Sequence, residues 1–279
     1  MNPLLYEETV RRELLDDLGR AGDITTDSIV PAEVQAVGKI RNRQAGCVAG
    51  IEVATSVFRL LEESVEVELL RDDGTRVSED EVLAVLRGSA RTLLQGERTA
   101  LNLLGHLSGI ATATNDMVQR VAEFGTRIVC TRKTTPGLRS LEKYAVRAGG
   151  GFNHRFGLDD AVLIKENHIA VAGSIREAIT RARSSVGHMV KIEVEVETIV
   201  QLKEALEFEI DAVLLDNMAV ATVREAVELA KGRVLTEVSG GITPDNVIPL
   251  AAAGVDLLSV GYLTHSSPAL DVTFEILPS

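Results

Sequence analysis

VKIEVEVETIVQLKEALEFEIDAVLLDN, residues 190–217, holds a strand, a helix and a second strand in 28 residues. Val190–Val196 and Ala212–Asp216 are rich in Val, Ile and Leu, as strands buried in a sheet are. Between them Thr198–Phe208 has the apolar spacing of an amphipathic helix. The same texture extends both ways along the chain. Strand-like runs fall at Arg127–Thr131, Ala161–Lys165, Val234–Ser239 and Leu257–Gly261. Helical patterns separate them at Ser174–Ser185, Val220–Lys231 and Pro244–Ala253. Apolar strands alternating with helices predict a parallel sheet, wound either into an open sheet or into a barrel. A full eight-unit barrel takes roughly 250 residues, so the shorter stretch here predicts a smaller or incomplete one.

Before Gly109 the pattern differs. Pro3–Leu18 has helical periodicity, Gly22–Thr26 reads as a loop, and residues 34–50 read as paired strands with glycine bends. Ile51–Glu63 reads as a helix, and Val65–Leu70 and Val82–Leu86 as strands around an Asp73–Gly74 turn. Ser89 to about Glu123 is helical, with an interruption expected near Ser108–Gly109. The expected division is therefore an α/β unit over 1–109 and a barrel over 110–266, with the tail 267–279 returning to the first unit.

With 279 residues, 45% of them hydrophobic, the chain can build one large or two smaller cores. Two cysteines, Cys47 and Cys130, lack metal-ligand spacing and predict buried thiols in a reducing compartment. No signal peptide is legible at the start, and Val247–Leu263 is too interrupted to predict a membrane span. Lys and Arg number 29 against 41 Asp and Glu, a net charge of −12. That argues against general nucleic-acid binding.

Within this acidic chain, Thr131–His168 gathers Arg132, Lys133, Arg139, Lys143, Arg147, His154, Arg155, Lys165 and His168. The simplest local reason is a polyanionic ligand, although Arg139, Lys143 and Arg147, four apart, equally suit a solvated helix face. The ends of the strand runs sharpen the point. They carry Thr131-Arg132-Lys133, Lys165, Glu195 with Glu197, Asp216-Asn217, Glu237 to Gly241, and Gly261. In parallel α/β folds, ligands sit at these ends. Cations there suit phosphate and carboxylate oxygens, and carboxylates suit sugar hydroxyls or a Mg²⁺ that bridges to phosphate. Glu193, Glu195 and Glu197 share one strand face, which is costly inside a barrel unless it binds something. Thr243 is expected to cap a helix starting at Pro244, leaving backbone N–H groups for an anion.

Those residues sit in long, specific motifs. They are GDITT (22–26), ERTALNLLGHLSGIAT (97–112), TRKTTPGLRSLEKYAVRAGGGFNHRFGL (131–158) and LIKENHI (163–169), then EVEVE (193–197), LLDN (214–217), SGGI (239–242) and VGYLTHS (260–266). In this order they resemble the decarboxylating quinolinate phosphoribosyltransferases over nearly the whole chain. The resemblance implies an N-terminal α/β sandwich followed by an incomplete, open α/β barrel. It also implies transfer of phosphoribose from phosphoribosyl pyrophosphate to quinolinate, giving nicotinate mononucleotide, pyrophosphate and CO₂ for NAD biosynthesis. The implied setting is a cytoplasmic homodimer using Mg²⁺, with no nucleic-acid or membrane partner.

Carried over residue by residue, Arg98 would reach the neighbouring subunit's quinolinate. Arg132, His154, Arg155 and Lys165 would surround its carboxylates, and Lys133 with Lys165 would face phosphates. Glu195 and Asp216 would hold ribose hydroxyls and Mg²⁺. Ser239, Gly240 and Gly241, with Val260 and Gly261, would take the 5′-phosphate, and Thr131 belongs to the same binding set. Lys133, Lys165, Glu195 and Asp216 are the expected catalytic group. Two readings from other classes are a Schiff-base lyase acting through Lys165 and an anion sensor that only binds.

Overall fold

The structure, a computed structural model, describes residues 1–278; Ser279, part of the expected tail, lies outside the described residues. In chain order the strands are β1 (Gln35–Asn42), β2 (Gly46–Cys47), β3 (Glu66–Leu69), β4 (Arg76–Val77), β5 (Val82–Ser89) and β6 (Arg127–Val129). There follow β7 (Val162–Ile164), β8 (Ile192–Val196), β9 (Ala212–Asp216), β10 (Leu235–Ser239), β11 (Leu257–Ser259) and β12 (Val272–Pro278). They belong to two compact units that interleave along the chain. The first comprises 1–115, 134–150 and the chain from Ser266 on; the second comprises 116–133 and 151–265.

In the first unit an antiparallel sheet runs β12-β1-β5-β3. Alternate residues of β1, from Ala36 to Asn42, are buried, the period expected of a half-buried strand. The paired-strand reading of residues 34–50 is corrected in its partners. β1 pairs with β5 and β12, while β2 pairs with β4. Phe274 of β12 lies over Gly38 and stacks on Phe58 at 5.6 Å. The Gly22–Thr26 loop reading is also corrected: Ile24–Ile29 is a short helix, capped by Asp23 through the N–H groups of Thr25 and Thr26.

The interruption expected near Ser108–Gly109 does not occur, because Ala90–Val121 is one 32-residue helix. Its glycines serve close approach. A Cβ on Gly109 would stand 2.1 Å from the Pro268 carbonyl oxygen, and Gly105 accepts the Leu270 N–H at 2.9 Å. The helix Arg139–Ala148 also packs in this unit. Tyr144 donates to Asp73 at 2.6 Å, and Glu142, fully buried, meets His106 at 2.9 Å and accepts the Thr135 N–H at 3.1 Å. Lys143 is buried too, so Arg139, Lys143 and Arg147 form no solvated stripe.

The second unit is an incomplete α/β barrel. Six parallel strands run in the order β6-β11-β10-β9-β8-β7. Phe152 adds a parallel bridge to Val129 beyond β6, and among the described residues no ladder joins it to β7. Because the strands are parallel, all their C-terminal ends reach one rim. Ser174 and Thr198 cap the helices Ile175–Ser185 and Ile199–Ala205 as side-chain acceptors. The expected cap at Thr243 is corrected: the helix is Val247–Ala251, and Asn246 takes the Thr243 N–H at 2.8 Å while donating to the Gly241 carbonyl.

A Gly109→Val substitution is expected to cost roughly 2–3 kcal/mol of stability, as overpacking against fixed backbone does. Gly187→Ala, with open space around it, should be near neutral. Urea unfolding midpoints check both, and an unchanged midpoint for Gly109→Val would contradict the close approach.

Candidate active site

At the rim of the barrel lies a cavity of about 550 Å³. Thr131, Arg132 and Lys133 enter it after β6, Lys165 after β7, Glu195 from β8 and Asp216 from β9. Ser239, Gly240 and Gly241 close it after β10, and His154 with Arg155 enter from the segment beyond the Phe152 bridge. Most of the residues singled out in the sequence therefore face one volume.

Local geometry fixes these groups. Thr131 Oγ1 accepts the Lys133 N–H at 3.0 Å, and Thr264 donates to the Lys133 carbonyl at 2.7 Å. Lys165 precedes the helix Glu166–Ala172 and donates its N–H to His168 Nδ1 at 2.9 Å, while its ammonium is paired with Glu195 Oε2. Asn217 sits at φ 52° and donates to Asp216 Oδ2 at 2.7 Å. Gly240 is a glycine by necessity: its φ is +97°, and a Cβ there would fall 2.1 Å from Asn217 Oδ1.

The arginines carry the decisive feature. Arg155 donates Nη1 to the Ala161 carbonyl at 3.0 Å, yet the Nε of Arg155 and the Nε of Arg132 are buried without a hydrogen-bond acceptor. Burial first, and the Arg132 charge second, hold Arg155 below the usual guanidinium pKa. Two half-buried like charges, each with a buried idle Nε donor, have the chemistry to receive a planar anion such as a carboxylate.

Beneath them lies a group of opposite sign. His154 Nε2 stands 2.9 Å from Glu193 and 3.5 Å from Glu237. Its Nδ1 accepts the Arg155 N–H at 2.7 Å, which demands a lone pair there. Burial opposes the imidazolium, but the Glu193 hydrogen bond and the charges of Glu237 and Glu193 outweigh it and raise the His154 pKa. The Nδ1 contact works the other way, since a protonated Nδ1 could not accept. Glu237, only 2% exposed, is pushed up to about 7, by burial first and by Glu193 second.

Three expected residues stand apart from the lining. Arg98 is an exposed residue of the long helix in the first unit. Val260 is buried, with its N–H committed to the Val129 carbonyl at 2.9 Å. Gly261 lies beside the Lys133 side chain, where a Cβ would be 3.2 Å from Cδ. Conversely, Glu237, Asn217, Ser259 and Leu214 line the cavity without having been assigned a role. Period two from Ser239 marks Glu237 as inward-facing, and the same count from Asp216 marks Leu214.

A parallel barrel whose strand ends hold arginines, lysines and carboxylates around one cavity defines a binder of small polyanions. Comparison with known proteins carries this to a family. The domain family described as "Quinolinate phosphoribosyl transferase, N-terminal domain" matches residues 23–108, and its C-terminal counterpart matches 110–275. A Bacillus subtilis (strain 168) protein named "Probable nicotinate-nucleotide pyrophosphorylase [carboxylating]" is 45% identical over 276 residues, covering 99% of this chain and 95% of that protein. The Mycobacterium leprae protein named "Nicotinate-nucleotide pyrophosphorylase [carboxylating]" is 43% identical, covering 96% of each. The crystal structure of NadC from Streptococcus pyogenes superposes with a TM-score of 0.96 at 37% identity, covering 100% of this chain and 99% of that one. The chain belongs to the quinolinate phosphoribosyltransferase family.

The folded chain keeps a proton on Glu237 that the unfolded chain gives up near pH 4.5. Its stabilising contribution is thus complete below that pH and lost as pH rises through about 7. Glu237→Gln should flatten this slope. Between pH 5 and pH 8 the parent should lose on the order of 2 kcal/mol more than the variant, read from urea unfolding. Equal losses would contradict a retained proton.

Proposed function

We infer that the chain is a decarboxylating quinolinate phosphoribosyltransferase, converting quinolinate and phosphoribosyl pyrophosphate to nicotinate mononucleotide, pyrophosphate and CO₂ in NAD biosynthesis. The observation that carries the reading at the level of the site is the pair of buried, unanswered Nε donors on Arg132 and Arg155. Adjacent carboxylates on a planar ring answer both, and bidentate pairing to guanidinium fixes the ring's orientation. His154 and Lys165 complete this side of the cavity.

Lys133, with Lys165, meets phosphate, and Ser239, Gly240 and Gly241 offer a glycine loop to the 5′-phosphate, with the Gly261 turn beside Lys133. Glu195 and Asp216 face the ribose. The donor set also fits Mg²⁺: two hard carboxylates on neighbouring strands, with Asp216 engaging Asn217 through a single oxygen, leave room for substrate oxygens as further ligands. When bound, Mg²⁺ supplies charge neutralisation to the leaving pyrophosphate.

The pyridine nitrogen attacks ribose C1 as the bond to pyrophosphate breaks, so no protein nucleophile is needed. Cationic character grows at C1, and Glu195 and Asp216 offset it. Lys133 and Lys165 neutralise the departing oxygens. Holding two polyanions in contact is the main barrier, which preorganised cations lower. The quaternised ring then stabilises the carbanion left at C2 when CO₂ departs, and the chain's part is a dry cationic pocket.

The reading extends to a cytoplasmic homodimer in which Arg98, exposed on the long helix, reaches the neighbouring subunit's quinolinate. Both cysteines are buried, and no helix among the described residues is long and apolar enough to cross a membrane.

Arg132→Ala and Arg155→Ala should each lower kcat/KM for quinolinate roughly 100-fold or more in a pyrophosphate-release assay, the scale of a lost charged hydrogen-bond pair. Activities near the parent's would refute the carboxylate assignment. Mixing inactive Arg98→Ala and Lys165→Ala chains should restore activity through hybrid dimers. No recovery, with subunit exchange demonstrated by mass, would remove the shared-site element alone.

A further inference from the structure

Glu237 touches two cavities. It lines the rim cavity described above, and with His154, Arg155 and Glu193 it also lines a second cavity of about 340 Å³ on the far side. That second space is bordered by Asp160, Lys191 and Asp211 and by the first residues of β8, β9 and β10, and so lies toward the N-terminal ends of the strands. The layer formed by His154, Glu193 and Glu237 therefore divides the inside of the barrel. One oxygen or nitrogen from each of the three lies within 4.8 Å of the others.

Charge counting shows that this layer holds a proton. Two carboxylates face each other here, and one oxygen of each, Glu193 Oε1 and Glu237 Oε1, is buried without a hydrogen bond. His154 has a single N–H to offer them while its Nδ1 accepts from Arg155. The groups facing Glu237 are Glu193 from β8, His154 with Arg155 from the segment beyond the Phe152 bridge, and the uncharged Leu214 and Ser259 from β9 and β11. Glu195 lines the same rim cavity but is paired with the Lys165 ammonium. Arg155 is the one permanent cation in that set, and a bound dicarboxylate claims it. Two buried carboxylates left with one neutral imidazole retain a proton rather than stand together as anions.

Resting on the transferase reading, we propose that Glu237 is the acid that protonates C2 of the pyridine ring as CO₂ leaves, and that it is reloaded with a solvent proton through the second cavity. The bond between C2 and the carboxylate carbon breaks, and its electron pair stays on C2. The Glu237 O–H proton forms the new C2–H bond, leaving Glu237 as carboxylate. The Glu237 carboxylate then regains a proton from solvent through the second cavity, which it lines, while His154 Nε2, 3.5 Å away, keeps its own proton and holds the carboxylate in place. A neutral carboxyl suits this step, because at 2% exposure it is shielded from bulk water yet open to the ligand cavity. A proton retained up to about pH 7 agrees with this role.

The test is a single turnover of the full-length chain carrying Glu237→Gln, with quinolinate, phosphoribosyl pyrophosphate and Mg²⁺. Pyrophosphate, CO₂ and the mononucleotide that still bears both carboxyl groups are followed together. CO₂ release should lag pyrophosphate release by roughly 100-fold, the usual worth of a positioned acid, and the dicarboxylated nucleotide should accumulate. Pyrophosphate and CO₂ appearing together, with no accumulation, would overturn the proposal, as would equal loss of both in a folded variant that still binds quinolinate. Should Glu237→Gln not fold, Glu193→Gln serves. Removing that neighbouring charge lets Glu237 ionise earlier, so the ratio of CO₂ to pyrophosphate should fall above neutral pH and recover on acidification. A ratio indifferent to pH would overturn the proposal. A parent chain that releases no pyrophosphate would instead sink the transferase reading, and this one with it.

Discussion

Two guanidinium groups, Arg132 and Arg155, are carried into the mouth of the barrel with their Nε donors unanswered. Each repels the other, and burial weakens what water can do for either. A chain that spends folding stability on such an arrangement must recover it from a ligand or from fixed counter-charges. The structure supplies part of the compensation for Arg155 through the charges of Glu193 and Asp160. On the proposed function the remainder is anionic ligand. The order of the strands, their common direction and the glycines at their ends all serve to keep these opposed charges at one rim without letting them collapse into closed ion pairs.

One ion pair does close, that of Lys165 with Glu195. Both belong to the expected catalytic group, and on the proposed function ligand binding redistributes this contact. With a half-exposed ammonium, the pair is a modest barrier to opening. Arg155 and His154 behave differently. The Arg155 N–H on His154 Nδ1 ties the imidazole to the arginine's own backbone, so the ring that meets Glu193 and Glu237 is set by a residue that lines the rim cavity.

Much of the barrel was legible in the sequence because its strands are short apolar runs whose last residues are polar. Lys165, Glu195, Asp216 and Ser239–Gly241 could be placed by counting to the end of each run, and the cavity lining contains them all. Tertiary approach was not legible. Gly109 looks like a helix breaker, and only the Pro268 carbonyl pressed against it explains why it sits mid-helix. Arg139, Lys143 and Arg147 look like a charged face, and only packing reveals that Lys143 is buried. Thr243-Pro244 has the composition of a helix start, but the Asn246 side chain closes a turn there first. Glu237 was visible as a strand-end acid, yet its significance depends on Glu193 and His154, which come from distant parts of the chain.

The central claim is that the Arg132 and Arg155 donors stand ready for ligand carboxylates. Nitrogen-15 NMR of the arginine Nε–H groups, assigned through Arg132→Lys and Arg155→Lys variants, tests it directly. Addition of quinolinate should shift both resonances downfield and slow their hydrogen exchange, with the other arginines of the barrel unaffected. Two resonances that stay in place at saturating quinolinate would contradict the account.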